Sequence, residues 1–328
     1  MAKILVDTPA RLHLGLLDTN GDLGRLYGSI GAAIQYPNVS LEAELADRLI
    51  VEGLEKDRLE SIARRFLQAN PSLPGARLAL KASIPNHVGL GSGTQLALAV
   101  GSALSLLGQL ELDIQQIALA TGRGVHSGIG IAAFEAGGFI LDGGHRVGKD
   151  RTLHQGKAVK NVPPVLFQHA LPEEWFFVVA VPRAEAGFSG ERESQAFHTL
   201  PKAHPSSVEK ISRQILMKML PAVVEGDIRS FGEALTSIQQ LVGDCFKAVQ
   251  GGRFANRVSD QLICHLLEKG VLGAGQSSWG PTVYALTEGL HNAQQLQGIA
   301  RDFLSHRTGG EVFCIHADNH GAKIREAS

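Results

Sequence analysis

The sequence predicts an α+β fold with two lobes that meet near residues 170–200. Segments that alternate apolar and polar residues are concentrated in the first half, as in ARLALKASI at 76–84, and a period of two indicates strands. The second half contains several long segments with helical periodicity. Because strands and helices are segregated along the chain, we predict two domains, at 1–170 and 171–328.

The first half is predicted to be mainly strands. KILV, RLHLGLLD, LYGSIGAAIQY and VSLEAELAD indicate early strands. A helix is expected at 55–69, followed by the strand at 76–84 and a second helix at 92–107. Asp113 and Gln116 have the spacing of a capping box that begins another helix. GGFIL is predicted to be a strand, and 143–163 to be irregular or a hairpin.

The second half begins with a predicted strand, EEWFFVVAVP, which Pro182 ends. Helices are expected at 205–221, 226–250 and 254–269. A glycine-rich turn, GVLGAGQSSWGPTVYAL, then precedes a helix near 289–305, a last strand, EVFCI, and a polar tail. The tail includes HADNH (316–320), whose histidines and acid could bind a metal, but a disordered or solvated end is the favoured interpretation.

Composition indicates a cytoplasmic protein with a substantial core. The 328 residues are 44% hydrophobic, and the formal net charge is −1, which does not favour nucleic acid or an anionic membrane as a partner. Cys245, Cys264 and Cys314 show no CxxC spacing, so we expect reduced thiols. We find neither a signal peptide nor a run of about 18 apolar residues.

The stretch IPNHVGLGSGTQLALAV (84–100) is predicted to bind an anion. Gly89, Gly91 and Gly93 allow close approach of the backbone to a ligand, and Ser92 and Thr94 add hydroxyl donors. The helix that follows directs its unpaired N–H groups at the loop. The stretch lacks both the Walker A ending and a GxGxxG fingerprint, and the alternative is a tight turn without a ligand.

Three motifs, in order, resemble the GHMP superfamily of galacto-, homoserine, mevalonate and phosphomevalonate kinases. They are PARLHLGLLD (9–18), PNHVGLGSGTQLALAV (85–100) and GAGQSSWGPTVYAL (273–286). The resemblance implies a two-lobed GHMP-type fold. Its N-terminal lobe is expected to resemble domain 2 of ribosomal protein S5, and its C-terminal lobe to be ferredoxin-like.

Two departures from the kinase pattern concern catalysis. Gly93 replaces the second serine of the kinase loop, which helps to hold magnesium. Kinases of the mevalonate type have a Ser-Gly-x-Asp motif whose aspartate assists the attacking hydroxyl. The matching stretch here is HSGIGIAAF, which has Gly130 at the position of the acid. The phosphate loop is therefore kept, while the acid of the kinases is absent.

This combination is similar to one branch of the superfamily, the β-ribofuranosylaminobenzene 5′-phosphate synthases of methanopterin biosynthesis. HSGIGIAAFEAGGFILDGG (126–144) and GFSGERESQAF (187–197) also match its signatures. The resemblance implies condensation of 5-phosphoribosyl 1-diphosphate with 4-aminobenzoate or 4-hydroxybenzoate, with release of carbon dioxide and pyrophosphate. It further implies Mg²⁺ as cofactor and a homodimer.

This reaction is compatible with glycine at position 130. The nucleophile is a ring carbon made electron-rich by the para substituent, so no alcohol needs to be deprotonated. Magnesium, helix-end amides and an arginine would stabilise the leaving diphosphate. A carboxylate would stabilise the oxocarbenium-like ribose carbon.

Asp18 and Arg25 are the predicted catalytic residues. Asp18 ends the first motif and would face the ribose or magnesium; the alternative is an acid in a surface turn. Arg25 lies among glycines in GDLGRLYG, and its guanidinium would bind a phosphate or the benzoate carboxylate. The alternative for Arg25 is a solvated loop charge.

The other predicted site residues belong to the motifs. Trp279 would stack on the aromatic substrate or pack in the core, and the histidines would donate to phosphate or stabilise turns. Glu191 and Glu193 would bind magnesium, or would complement a helix dipole. The predicted substrate-binding set is Arg11, His13, His87, Gly89, Gly91, Ser92, Gly93, Thr94, His126, Gln276, Ser277, Ser278 and Trp279.

Two other functions are open from the sequence. The first is an ATP-dependent small-molecule kinase, which would need an acid from elsewhere, such as Glu135 or Asp142. The second is a protein that binds a phosphate ligand without turnover.

Overall fold

The protein forms two mainly antiparallel sheets, each packed against helices. The computed structural model describes residues 3–73, 75–151, 153, 161–184, 195–197 and 199–327. One continuous hydrophobic core includes buried residues from both halves of the chain, among them Leu12, Leu98, Phe231 and Tyr284. The predicted α+β fold is confirmed, whereas the division at residue 170 stays a prediction.

The first sheet is built on a long hairpin of β1 (Lys3–Asp18) and β2 (Arg25–Leu45). The sheet runs β12-β1-β2-β4-β3, and the shorter strands β5, β6 and β7 extend it beside the end of β2 that follows Arg25. These other strands are β3 (Ile50–Gly53), β4 (Ala76–Ala82), β5 (Phe139–Asp142), β6 (His145–Arg146), β7 (Val165–His169) and β12 (Lys323–Ala327). All described strand pairs are antiparallel except β3 with β4, which is parallel.

Helices cover one face of this sheet, and the most buried of them is α2 (Ser92–Leu107). Leu96 and Val100 face the core as the sequence predicts, but Ala97, Leu98 and Ala99 are also buried, because α2 lies between β1, β2 and the neighbouring helices. Those neighbours are α1 (Lys56–Ala69), α3 (Ile114–Ala120), which begins with the predicted capping box, and α4 (Ile129–Glu135).

The second sheet has the strand order β11-β8-β10-β9. Its strands are β8 (Trp175–Pro182), β9 (Gly273–Gln276), β10 (Val283–Glu288) and β11 (Gly310–His316). The accompanying helices are α5 (Pro205–Gln214), a π-helical turn (Ile215–Met219), α6 (Leu220–Glu225), α7 (Ile228–Gln250), α8 (Arg257–Glu268) and α9 (Leu290–Ser305).

Helix α7 connects the two sheets through the amide of Gln239. Its Nε2 donates to the carbonyl of Leu14 in β1 at 2.7 Å, and its Oε1 accepts from the N–H of Gln276 in β9 at 2.8 Å. The side chain of Gln239 is almost completely buried. Because both ends of this amide have partners, it fixes β1 relative to β9.

A second junction joins β1, the glycine loop and the turn after β9. The hydroxyl of Ser277 donates to the carbonyl of Gly89 at 2.6 Å and accepts from the N–H of His13 at 2.9 Å. Gly89 has φ +92°, and a Cβ on it would lie 2.2 Å from the carbonyl oxygen of Ser277. Only glycine allows both this backbone conformation and this close approach.

Several sequence-based boundaries differ from the structure. The two pairs of early strands are the single long strands β1 and β2. The glycine-rich turn at 270–286 contains β9 and most of β10, which pair with each other. The three cysteines are free, as expected. No helix among the described residues is long and apolar enough to cross a membrane.

The interpretation of the polar tail as disordered is wrong, whereas its last strand is solvated as expected. Asn319 exchanges two hydrogen bonds with the backbone of Leu171, and the Asp318 carboxylate accepts two backbone N–H groups of the following turn. The chain then pairs with β1 as β12. The polarity of this segment reflects an exposed edge strand, and the described residues include no group of three metal-binding side chains.

Replacement of Gly89 by alanine should destabilise the protein more than replacement of Gly24. Gly24 has φ +80°, but no atom lies within 4 Å of the point that its Cβ would occupy, so Gly24→Ala should cost about 1 kcal/mol of backbone strain. Gly89→Ala adds a clash with the Ser277 carbonyl, and about 2–3 kcal/mol more is expected. Urea unfolding measures both; equal costs would show that the junction does not constrain the fold.

Candidate functional site

The glycine loop has the geometry of an anion site at the start of α2. Gly91 is the N-cap of this helix with φ +84°, and a Cβ on it would lie 2.9 Å from Cγ of Arg11. The Nη1 of Arg11 donates to the carbonyl of Gly89 at 2.5 Å. The first N–H groups of α2 and the positive end of its dipole are directed at the loop.

Two arginines that sequence reasoning missed lie at the same helix end. A Cβ on Gly93 would lie 3.1 Å from Nη1 of Arg123 and 3.3 Å from Nη2 of Arg58. Arg58 also donates to the Ser92 hydroxyl at 3.3 Å and pairs with Glu55 at 2.8 Å. Because Gly93 has no side chain, both guanidinium groups approach the start of α2. Their positive charge complements the helix dipole in binding an anion.

A cleft with a volume of about 700 Å³, open to solvent, continues from Arg11. β1, α7, the segment after α7 and the turn after β9 form its walls, and both lobes contribute. The lining has a polar part with Arg11, His13, His126, Ser127, Gln239, Gln250, Arg253, Gln276 and Ser278, and an apolar part with Leu16, Phe197, Val242, Phe246, Phe254 and Trp279. No described lining residue is a carboxylate.

The apolar part of the cleft is a cluster of aromatic rings. Trp279 makes edge-to-face contacts with Phe246 at 4.8 Å and with Phe197 at 5.6 Å. The ring of His126 stacks on Phe197 at 4.6 Å, and Tyr27 contacts both. Such a surface binds flat aromatic ligands by dispersion and ring electrostatics. Sequence reasoning identified Trp279 and His126 but missed the two phenylalanines.

His13 is neutral in the folded protein. Burial is the main reason that its pKa falls to about 3, and the positive charge of Arg11 contributes. A neutral imidazole has one donor and one acceptor nitrogen. His13 therefore provides a polar group to the cleft without adding charge.

The glutamine and serine of the third motif hold the scaffold. Gln276 accepts from the N–H of Ala255 and donates to the carbonyl of Ser278, both at 2.7 Å. The hydroxyl of Ser277 is bonded to Gly89 and to the His13 backbone. The predicted roles of Gln276 and Ser277 as substrate ligands stay predictions, since the structure gives their polar groups partners within the protein.

Asp18 and Arg25 lie outside the described lining of the cleft. One carboxylate oxygen of Asp18 accepts the N–H groups of Asn20 and Gly21, as in the turn that was the alternative interpretation. Arg25 donates from Nε and Nη2 to two consecutive carbonyls, of Gly143 and of the residue after it, at 2.5 and 2.6 Å. Their catalytic roles stay predictions.

The side chain of Thr94, in α2, lies next to Gly130, the position of the kinase acid. Gly130 is buried, and a Cβ on it would lie 3.0 Å from the methyl group of Thr94. The Asp142 carboxylate is fully buried and accepts N–H groups from Gly128 and Gly144 at 2.9 Å, and burial raises its pKa. Glu135 is exposed. Neither alternative acid lines the described cleft.

Of the remaining predicted residues, one lines the cleft, one lies outside its lining and two lie outside the described residues. His87 is exposed with φ +58°, outside the cleft lining, and Ser278 lines the cleft with φ +55°. Glu191 and Glu193 lie outside the described residues. Since the described lining includes no carboxylate, it supplies none of the charged oxygen ligands that magnesium prefers.

Comparison with known proteins agrees with this architecture. Residues 57–138 match the GHMP kinases N terminal domain, and residues 219–306 match the GHMP kinases C terminal domain. Homoserine kinase from Cytophaga hutchinsonii is 17% identical, with a TM-score of 0.71 over 98% of this chain and 97% of its own. Mevalonate diphosphate decarboxylase from Staphylococcus aureus has a TM-score of 0.65 at 14% identity over 99% and 98%. These similarities show the fold.

Closer relatives define the family. Proteins from Methanocaldococcus jannaschii and Archaeoglobus fulgidus, each named β-ribofuranosylphenol 5′-phosphate synthase, are both 36% identical. The alignments cover 98% and 97% of this chain and 100% and 98% of the relatives. The Methanothermobacter thermautotrophicus protein of that name is 36% identical over 87% of this chain and 89% of its own.

This chain belongs to the β-ribofuranosylphenol 5′-phosphate synthase family. The branch of the superfamily predicted from the motifs is thereby confirmed, as is the GHMP fold. This chain therefore combines the GHMP phosphate loop with a glycine at position 130.

Burial of His13 should make stability depend on pH. Its folded pKa, about 3, lies below the unfolded value of about 6.5. Between these values only the unfolded state gains the proton, so falling pH should remove about 1.4 kcal/mol of stability per unit through this group. In His13→Gln the fall of unfolding free energy below pH 6.5 should be shallower by that slope. Parallel pH profiles for both proteins would contradict a neutral His13.

Arg58 and Arg123 should control anion affinity at the loop. Replacement of either by methionine should weaken binding of inorganic pyrophosphate about tenfold or more, since a charge-assisted hydrogen bond contributes roughly 1.5–3 kcal/mol. Titration calorimetry measures the affinity. Arg64→Met is the matched control, because Arg64 lies on α1 together with Arg58, is exposed and pairs with Glu60. Losses no larger than in this control would remove both residues from the site.

Proposed function

We propose that this protein transfers the 5-phosphoribosyl group of 5-phosphoribosyl 1-diphosphate to 4-hydroxybenzoate. The product is a ribofuranosylphenol 5′-phosphate, as in the name of the relatives, and pyrophosphate and carbon dioxide leave. The observation that supports this function is a cleft lined by aromatic rings and by Arg11, which donates to the carbonyl of Gly89 in the phosphate loop, without a kinase acid at position 130.

The diphosphate is assigned to the glycine loop, which Arg11 joins to the cleft. It carries the densest negative charge of the substrate and gains more as the bond to ribose breaks. Arg58, Arg123 and the first N–H groups of α2 supply the matching positive charge, and this stabilisation increases towards the transition state. Arg11, which contacts the loop and lines the cleft, lies at the boundary between diphosphate and ribose.

The acceptor ring is assigned to the aromatic end. Trp279, Phe246 and Phe197 offer faces and edges to a flat ring, and a ring bound against these apolar side chains would exclude water on that side of the oxocarbenium-like ribose carbon. This carbon must not meet water, because hydrolysis would compete with transfer. The arrangement therefore serves both orientation and protection of the donor.

Bond changes balance without a protein base at position 130. The para oxygen donates electron density to the ring, and the carboxyl-bearing ring carbon attacks ribose C1′. The bond between C1′ and the diphosphate oxygen breaks, and its electron pair stays with the departing pyrophosphate. The ring–carboxyl bond then breaks, its pair restores the aromatic ring, and carbon dioxide departs. The chain's residues bind and orient both substrates, the main requirement for such a two-substrate reaction.

A kinase function is disfavoured by the same geometry. An attacking alcohol needs a group that accepts its proton, and the position of the kinase acid, Gly130, faces the methyl group of Thr94. Binding without turnover is disfavoured by the relatives, which are named as synthases. Magnesium accompanying the diphosphate, a homodimer and a cytoplasmic location remain part of the proposal by resemblance.

Release of labelled carbon dioxide tests the function. The purified protein is supplied with 5-phosphoribosyl 1-diphosphate, magnesium and 4-hydroxybenzoate labelled in the carboxyl carbon. We expect trapped carbon dioxide and pyrophosphate in equal amounts, and neither when the donor is omitted. Formation of ADP from ATP, with no labelled carbon dioxide, would instead support the kinase.

A further inference from the structure

Arg253 lies in the wall of the cleft beside the aromatic end, and neither the motifs nor the fold assigns it a role. It follows α7 and lines the cleft next to Phe254. A Cβ on Gly243 would lie 2.6 Å from Cγ of Arg253 and 2.5 Å from its carbonyl oxygen. The glycine thus allows the stem of the arginine to lie directly against α7.

The guanidinium of Arg253 is oriented by its neighbours. Nε and Nη2 donate to the two carboxylate oxygens of Asp244 at 2.9 and 3.1 Å, and Gln250 donates to the Arg253 carbonyl at 2.6 Å. Asp244 is half-exposed and does not line the cleft. A bidentate pair of this kind fixes the plane of the guanidinium, and the described lining to which Arg253 belongs includes no carboxylate.

Position along α7 relates Arg253 to the acceptor. Gln239 marks the end of the cleft at β1 through its bond to Leu14. Gly243, against which Arg253 packs, lies one turn further, or about 6 Å along the helix. This is roughly the length of a benzene ring with one substituent. A ring whose carboxyl-bearing carbon points towards β1 and the ribose would have its para substituent at the level of Gly243, where the stem of Arg253 packs.

The charge on the para atom differs between the two possible acceptors. A phenol attacks as its phenolate after the proton has left to solvent, so the transition state retains part of a negative charge on oxygen. An aniline attacks as the neutral amine, and its nitrogen acquires part of a positive charge. A nearby cation stabilises the first transition state and destabilises the second. In both cases loss of carbon dioxide returns the electron pair to the ring, and the phenolate product then regains its proton from solvent.

We propose that Arg253 makes the enzyme select a para-hydroxyl over a para-amino acceptor. The inference rests on the proposed function, because it assumes that a para-substituted benzoate occupies the aromatic end. The ion pair with Asp244 reduces the net positive charge beside the acceptor and fixes the position of the guanidinium.

Selectivity in three variants tests the proposal. The ratio of kcat/KM for 4-hydroxybenzoate to that for 4-aminobenzoate is measured by release of labelled carbon dioxide at saturating donor. Arg253→Met should lower this ratio about tenfold, the effect of roughly 1.4 kcal/mol between charges in a partly solvated site. Asp244→Asn, which keeps the cation and removes its counter-ion, should preserve or raise the ratio. Arg257→Met, at an exposed position nearby, should not change it.

The outcomes separate this inference from the function on which it rests. No turnover of either benzoate by the unaltered enzyme would refute the proposed function. Turnover with a ratio that Arg253→Met leaves unchanged would refute the role of Arg253 alone. Equal falls in Arg253→Met and Asp244→Asn would mean that the ion pair is structural, and this too would overturn the proposal. If turnover of 4-aminobenzoate is too slow to detect, kcat/KM for 4-hydroxybenzoate alone tests the proposal. It should fall in Arg253→Met and be kept or raised in Asp244→Asn.

Discussion

The hydroxyl of Ser277 is the contact on which the geometry of the site depends. It joins the backbone of His13, in the first strand, to the backbone of Gly89, in the phosphate loop. The turn that carries Ser277 also carries Trp279, so this hydroxyl helps to set the distance between the loop and the aromatic end of the cleft, together with the backbone hydrogen bond from Thr282 to Val88. A buried hydroxyl with both a donor and an acceptor partner costs more to disrupt than one exposed to water. Loss of the two hydrogen bonds of Ser277 would therefore also disorder the site.

Elements with strong local signals were predictable. Helix α2 begins and ends at the predicted residues, because the glycine loop precedes it and apolar residues fill it. The capping box of Asp113 and Gln116 forms as its spacing indicates. Strand β12 was missed because four of its five residues are exposed, so its sequence contains no alternation that a periodicity argument could detect. Its place is determined by pairing with β1, more than 300 residues away in sequence.

The candidate site was predictable where residues adjacent in sequence act together. The glycine loop and the missing acid at 130 are local features, and the structure adds that Thr94 faces the latter position. Arg58, Arg123 and Arg253 have no local motif; they reach the site only through folding. Polar residues of the third motif, such as Gln276, were read as ligands, but a sequence cannot distinguish a donor to substrate from a donor to the backbone. Here the backbone is the observed partner.

The central claim is that a kinase fold without its acid joins a ring carbon to ribose. Nuclear magnetic resonance of the product tests it most directly, with donor labelled by ¹³C at ribose C1′ and acceptor labelled by ¹³C at the carboxyl-bearing ring carbon. We expect a one-bond carbon–carbon coupling between the two labels, which only a new bond between them produces. A phosphorylated or oxygen-linked product, in which the labels show no such coupling and the carboxyl group is kept, would contradict the account.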